Sequence, residues 1–454
     1  MSLATEWANY KSGWVEHKAD LRTPPAFTDW CGEQGKPYNA GLRPLAGGTR
    51  GRLPCPSRPG VHTLSASQER TRELRFAATL SAVIALRMLG LFLILPVFMV
   101  LAVDMPGFTP QAAGLAVGIY GLSQALLQQP FGWLSDRWGR RPVLLLGLAL
   151  FAAGGLVAAL AESMNWLIAG RALQGCGAIA GVAMALAADV TQPQRRPLVM
   201  ALIGIGIGGS FLVSMALSVP LALLLGLGGL FWLTVVFALV GMALVMTVPR
   251  KPVVVVEAQP AQGSSMVPVW LLSLSVFLLH GVMTLLFVTL PPMLVDGFGL
   301  ELSAHWKLYV PTMFVSVLIM LPILRKVGKS LSEQRLLPWA FVALALSVGL
   351  LPFGHQWLML GVLITVYFLG FNVLEAAMPA LLSRITGSRG RGQRMGLYST
   401  FQFLGAFAGG VTGGWLLASY GSATALTAAG IVSLGWGIAL RLLTKRFFLT
   451  GAAE

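Results

Sequence analysis

The chain has 454 residues, 56% of them hydrophobic and only 11% charged, with a formal charge of +15 and a mean hydropathy of +0.75. A soluble domain carries about 25% charged residues. A chain this apolar cannot cover itself with polar groups in water, which excludes an ordinary soluble enzyme. The basic balance, which in a soluble chain raises the question of nucleic acid, has to be explained by where the positive charges sit.

Residues 1–75 are rich in Gly, Pro, Arg and Thr, lack apolar periodicity and read as a disordered polar tail. No short apolar segment follows a basic start, as it would in a secretory signal. The alternative is a translation start placed too early, since Arg70, Arg72 and Arg75 make a natural beginning for a membrane protein. Cys31 and Cys55 in the tail and Cys176 in an apolar run supply neither a disulfide framework nor zinc spacing.

From Phe76 onward, apolar runs of membrane-spanning length recur: 76–103, 111–133, 142–161, 165–188, 198–221, 228–248, 268–293, 306–324, 337–353, 357–382, 395–418 and 423–443. A crossing takes about 20 helical residues. Helices are expected because lipid offers the backbone no other partner, and the alternating strands of a barrel are missing from the pattern. The fold expected is an all-α membrane protein of twelve transmembrane helices in two six-helix bundles.

Charge placement tests that count. After residue 75, every Lys and Arg except Arg87, Arg171 and Lys307 falls in an even-numbered loop or at the C-terminal end. These are Arg137, Arg140, Arg141; Arg195, Arg196; Arg250, Lys251; Arg325, Lys326, Lys329, Arg335; Arg384, Arg389, Arg391, Arg394; and Arg441, Lys445, Arg446. The positive-inside rule then puts both termini and these loops in the cytoplasm. The charge is a topology signal and gives no support for nucleic acid. The polar stretch 249–267 reads as a cytoplasmic linker between an N-terminal bundle, 76–248, and a C-terminal bundle, 268–447, with a short tail at 448–454. Basic loops entering Gly-rich helices at Asp189–Gly204 and Arg384–Ser399 suggest that the halves are duplicated.

The loop after the second span reads GWLSDRWGRRP, from Gly132 to Pro142. Gly132 and Gly139 permit close backbone approach. Asp136 and Arg140 lie four apart. Asp136 can meet the positive end of a neighbouring helix, and Asp189 is the acid placed for Arg140. With Arg137 and Arg141, the cluster has the makings of a gate that forms in one state and breaks in another. This string resembles the signature loop of the major facilitator superfamily (MFS), with Ser135 in place of Ala. Arg171-Ala-Leu-Gln174-Gly resembles its fourth-span signature. The strings at Leu86–Gly90, Gly118–Gln124, Ala304–Lys307 and Leu397–Gly405 are similar to the bacterial YajR-type proton-driven drug exporters. The resemblance covers about residues 75–445. The soluble domain that some of those exporters carry after the last span is expected to be absent, and their Gly-Pro pair late in the fifth span is replaced by Leu217-Ser-Val-Pro220. Gly204, Gly206, Gly208 and Gly209 nevertheless suit a closely packed fifth span.

Four ionisable residues lie within spans: Arg87, Arg171, His280 and Glu375, in spans 1, 4, 7 and 10. The resemblance implies that these four spans line a central cavity. Intramembrane charges are costly and mark function by default. Glu375 is the only acid deep in a span and the natural carrier of a proton, with Asn372 three residues earlier. Imidazole changes charge near neutral pH, which brings in His280. Structural roles compete for each: a helix-packing histidine, a hydrogen-bonded carboxyl, or arginines strutting the backbone of span 1. Tyr120, Gln124, Gln128, Gln174 and Gln402 are candidate cavity lining.

Three motifs are decoys. Gly204-x-Gly206-x-x-Gly209 has no strand before it and lies in a span. Gly328-Lys329-Ser330 lacks the first glycine of a phosphate loop, so no ATP site is read. His280, His305 and His355 are not at metal-ligand spacing, so no metal is expected.

The function expected is secondary active transport without a cofactor, driven by a proton gradient. The resemblance implies a monomeric exporter of small drug-like or amphipathic compounds in a bacterial inner membrane. A proton symporter or uniporter importing a small metabolite is the first alternative. A lipid-handling or receptor-like protein that keeps only the fold is the second.

Overall fold

The computed structural model describes residues 66–191, 195–248, 266–327, 332–386 and 391–447. The tail up to residue 65, the linker up to residue 265, the Gly328–Ser330 string and residues 448–454 lie outside the described residues. The described part is helical. In chain order, α1 is Ala66–Ile94, α2 is Pro110–Trp138, α3 is Arg140–Ala159, and α4 is Met164–Gly175 continued by Ala180–Asp189. A single helical run, Arg196–Thr247, is turned at Gly226 into α5 (196–225) and α6 (227–247). In the second half, α7 is Val267–Pro292, α8 is Trp306–Lys326, α9 is Glu333–Leu350 and α10 is Trp357–Ile385. The run Arg391–Phe447 is turned at Gly421 into α11 (391–420) and α12 (422–447).

Both turns use the same device. Gly226 has φ 67° and Gly421 φ 80°, a backbone conformation that L side chains rarely adopt. They sit at the matching fifth-to-sixth junction of each half, as a duplicated architecture requires. Among the described residues, nine helical stretches are long and apolar enough to cross a membrane. The two longest each contain two crossings. α2 falls short of that apolarity because it carries Gln111, Gln124, Gln128 and Gln129. The fold is therefore the twelve-helix arrangement expected from hydropathy.

Three boundaries differ from the expectation. α1 begins at Ala66, so residues 66–75, assigned to the polar tail, are helical; their Gln, Glu and Arg residues are good helix formers that need no lipid. The first span is interrupted at 95–97, where Pro96 removes a backbone donor before the short helix Phe98–Leu101. The fourth span is interrupted at 176–179, where Gly177 fits against the backbone of Gly147.

Small residues set how the helices pack. α1 lies on α5: Ser81 donates to the Leu202 carbonyl at 2.9 Å and Ser210 to that of Ala85 at 2.8 Å. Gly206 faces Ser81, but no atom lies within 4 Å of where a Cβ on Gly204, Gly208 or Gly209 would sit. The close packing expected of all four glycines thus holds at Gly206, the one that faces α1. In the second half α7 lies on α11, where a Cβ on Gly405 or Gly409 would collide with the carbonyls of Phe277 and Gly281. The two bundles meet backbone to backbone where α2 crosses α11. A Cβ on Gly410 would lie 2.6 Å from the Gly114 carbonyl oxygen, and one on Gly118 would lie 2.8 Å from that of Phe407. This seam is strongest away from the basic loops, at the start of α2 and the end of α11. On the basic face packing thins: residues 317–326 of α8 include no buried side chain.

Candidate functional site

On the basic face, the loop motif joins five helix ends. Gly139, at φ 92°, is the single residue between α2 and α3, so Arg140 opens α3 directly beside Asp136 in the last turn of α2. Arg140 pairs with Asp136 (Nη1 to Oδ1, 2.5 Å) and with Asp189 at the end of α4 (Nε to Oδ2, 3.2 Å), and its Nη1 donates to Ser135 Oγ. Asp136 is thus held by Arg140, four residues on, the pairing that their spacing allows. Arg141 donates to the Met246 carbonyl at the end of α6 (2.6 Å), and Arg196 at the start of α5 donates to the Ala188 carbonyl. Arg137 stacks over Trp133, with 4.9 Å to the ring centroid. Gly132, expected at a close approach, has no atom within 4 Å of a Cβ position. The side chains of Arg140, Asp136 and Asp189 are 18%, 58% and 46% exposed, so the pairs are screened and add little stability. Their position across three helix ends suits a contact that reports bundle shape.

Within the membrane the candidates divide into separate groups. Arg87 and Arg171 are 2% and 1% exposed and lie inside the N-terminal bundle. Arg87 Nη2 donates to Tyr120 Oη at 2.6 Å and to Gln124 Oε1 at 2.5 Å, and Gln124 continues to Gln128. Arg171 donates to the Ala116 carbonyl at 3.3 Å and to Gln174 Oε1 at 3.0 Å; Gln174 then donates to Thr234 of α6 at 2.9 Å. Both guanidinium groups lie by the Tyr120 ring, Arg171 at 4.9 Å and Arg87 at 5.8 Å from its centroid, and Arg87 also faces Phe151. The network ties α1, α2, α4 and α6 through neutral oxygens and rings. The backbone that Arg171 braces belongs to α2, not to span 1 as the structural alternative had it.

The second group lies between α7, α10 and α11. Gln402 Nε2 is 2.8 Å from His280 Nε2 and donates to Glu375 Oε1 at 3.3 Å. His280 Nδ1 is 3.2 Å from the Val276 carbonyl, which fixes the proton on Nδ1 and leaves Nε2 to accept from Gln402. The Glu375 Oε2 atom is 3.7 Å from His280 Nε2 and has no hydrogen bond. The Glu375 side chain is 38% exposed, in contrast to the sealed arginines. This arrangement can exchange partners. A second proton on His280 turns Nε2 from acceptor to donor, expels the Gln402 amide and leaves the imidazolium facing the free carboxylate oxygen. Asn372 stands apart: its amide points to α8, 3.3 Å from Ser316 Oγ and 3.8 Å from Met313 Sδ.

Two contributors escaped the sequence reading. Phe211 of α5 inserts between the bundles, with ring centroids 6.5 Å from Phe287, 6.2 Å from Phe368, 6.2 Å from Phe371 and 5.0 Å from Phe92. Phe371 and Phe368 lie one and two turns beyond Glu375, away from the basic face, so the cluster caps the Glu375 group on that side. Nothing in the spacing of a phenylalanine in a Gly-rich span signals this. The other is Tyr398, one turn before Gln402 on α11, a spacing that the sequence does contain. Among the described residues no group of three or more His, Cys, Asp and Glu side chains is placed to hold a metal ion.

Comparison with known proteins gives the family. The model of the Major Facilitator Superfamily matches residues 80–371 and 272–449. The inner membrane transport protein YajR of Escherichia coli K12 is 36% identical over 374 residues, covering 80% of this chain and 82% of that one. The multidrug resistance protein MdtH of Aeromonas hydrophila is 26% identical over 76% of this chain and 87% of its own. Among solved structures, a D-xylose-proton symporter at 15% identity superposes with a TM-score of 0.65 over 82% of this chain and 97% of its own, which shows the shared fold. The chain is a multi-pass membrane transporter, not an enzyme, and belongs to the Major Facilitator Superfamily.

Proposed function

We propose that this transporter is a proton-coupled exporter of small drug-like or amphipathic compounds, with Glu375, His280 and Gln402 as its coupling site. The observation that carries the reading is the contrast between two buried polar groups. The arginine network is sealed inside one bundle, with Arg87 and Arg171 2% and 1% exposed, whereas the Glu375 side chain is 38% exposed and keeps one oxygen unpartnered. A carboxyl in that position can take a proton from one side and release it to the other as the bundles rock. Arg87, Arg171, Tyr120, Gln124 and Gln174 then serve as the rigid frame of the N-terminal bundle. The Asp136–Arg140–Asp189 contact serves as the gate that changes with bundle position, and Asn372 steadies α10 against α8.

The basic face is cytoplasmic, with both termini on that side and the protein a monomer in the inner membrane. In this reading the α2–α11 seam and the Phe211 cluster close the outer side. Proton loss from Glu375 on the cytoplasmic side leaves a carboxylate held by Gln402. Protonation from outside removes the charge that opposes closing the site. A membrane potential of 100 mV supplies about 2.3 kcal/mol per charge, enough for a roughly fifty-fold gradient of a neutral compound exchanged for one proton.

The relatives' names support transport in general, and MdtH is named for multidrug resistance. Import by symport is the second reading, favoured by Leu217-Ser-Val-Pro220 where an exporter's Gly-Pro pair would stand; α5 runs helically through Pro220. Proteoliposomes with an imposed pH gradient separate the two, with ethidium as the first probe and a sugar and an amino acid as the others. Antiport moves the probe against the proton flux and symport moves it with the flux. Transport of none of them under any gradient, by protein that binds ligands in a thermal-shift screen, would favour a fold-only role.

A further inference from the structure

Among the buried polar atoms with no hydrogen bond are the Glu375 Oε2 oxygen on α10 and the Tyr398 hydroxyl on α11. The first is an acceptor without a donor and the second a donor without an acceptor. Tyr398 lies one helical turn from Gln402, the residue that already bonds Glu375. Leaving a buried polar group unpaired is costly, and an unpaired buried group calls for an explanation. Two complementary orphans on neighbouring helices are most simply explained by a bond made in another state of the cycle.

We propose that Tyr398 is a positioning residue for Glu375: its hydroxyl donates to Oε2 of the ionised carboxylate during the transport cycle and so sets the pH at which that carboxyl gives up its proton. The inference rests on Glu375 being the coupling carboxyl. Titratable groups with described side chains on the elements packed against α10 are His280 of α7, Lys307, Tyr309, Arg325 and Lys326 of α8, Arg335 of α9, Arg394, Tyr398 and Tyr420 of α11, and Arg441 of α12. Of these, His280 lies 3.7 Å from the free Glu375 oxygen, and Tyr398 lies one turn from the Gln402 that bonds the other oxygen. No covalent step is involved: the phenol keeps its proton throughout and only its acceptor changes. With Tyr398 donating, the charged form of Glu375 is favoured; without it, the carboxyl holds its proton to a higher pH.

The test needs no substrate. Full-length protein in lipid is titrated under infrared difference spectroscopy, following the C=O band of protonated carboxyl groups. Glu375→Gln should remove one titrating band. Tyr398→Phe, which keeps the ring and its packing, should move the midpoint of that band up by about one to two pH units, the equivalent of a hydrogen bond to a charged group. Tyr398→Phe in the Glu375→Gln background should change nothing in the carboxyl region. If Glu375→Gln removes no band, the coupling assignment itself falls. If it removes a band whose midpoint Tyr398→Phe leaves unmoved, the coupling assignment stands and the role of Tyr398 is overturned. Should Tyr398→Phe fail to fold, the tyrosine C–OH band of the wild type answers the same question. It should change at the carboxyl midpoint, and a flat band overturns the proposal.

Discussion

The seam between α2 and α11 can be opened by a single methyl group. A Cβ on Gly410 would sit 2.6 Å from the Gly114 carbonyl oxygen and 2.8 Å from the backbone of Gly118, where ordinary contact begins at 3.4 Å. Gly410→Ala therefore forces two backbones apart by most of an ångström, with no flexible side chain to yield. Overpacking of this kind costs about 1–3 kcal/mol. It falls on the state closed away from the basic loops, so the closed population should drop by roughly 5- to 150-fold relative to states in which the seam is parted. Spin labels at Asp104 and Glu301, exposed on that face and in opposite bundles, read the change as a distance distribution. Gly410→Ala should shift weight to longer distances. Gly208→Ala, with nothing within 4 Å of its Cβ position, should leave the distribution as in the wild type. If the two variants behave alike, the seam is not what holds the bundles together.

Other consequences follow from the same geometry. Phe211→Ala removes the ring that meets Phe287, Phe368 and Phe371, and should raise passive proton leak through reconstituted vesicles several-fold, measured with an entrapped pH dye; Phe92→Ala, whose ring contacts Phe211 from the same bundle, should leak less. Asp136→Asn should change the melting temperature by no more than about 2 °C, since the pair is exposed, yet slow transport; an unaltered rate would count against the gate. Gln174→Leu should cost about 1–3 kcal/mol of stability by stranding Arg171 and Thr234, seen as an earlier thermal transition, with proton coupling retained in the protein that folds.

Much of this architecture is legible in the sequence alone. Hydropathy and the segregation of Lys and Arg gave twelve crossings because lipid imposes length on every span and charge sorting on every loop. What hydropathy could not reveal was the break in α4, since unwinding there depends on how closely Gly177 approaches another helix. The loop motif was read together with its partner Asp189, because acids at that face are scarce. The arginines are the instructive case. Their presence in spans 1 and 4 was plain, but whether a side chain points into its own bundle or into the space between bundles depends on how each helix is rotated, and spacing does not report rotation. Asn372 and Glu375 illustrate the scale: three residues on a helix differ by about 60° in direction, enough for one to reach α8 and the other α7 and α11. Phe211 was invisible for a different reason, since a phenylalanine between bundles and one facing lipid have the same sequence.

The central claim is that Glu375 couples the proton gradient to transport. The direct measurement compares wild type and Glu375→Gln in proteoliposomes, with ethidium as probe, under an imposed pH gradient and in gradient-free counterflow. The account predicts that the variant loses gradient-driven accumulation while still exchanging probe in counterflow. Accumulation equal to that of the wild type, and equally abolished by a protonophore, would contradict it.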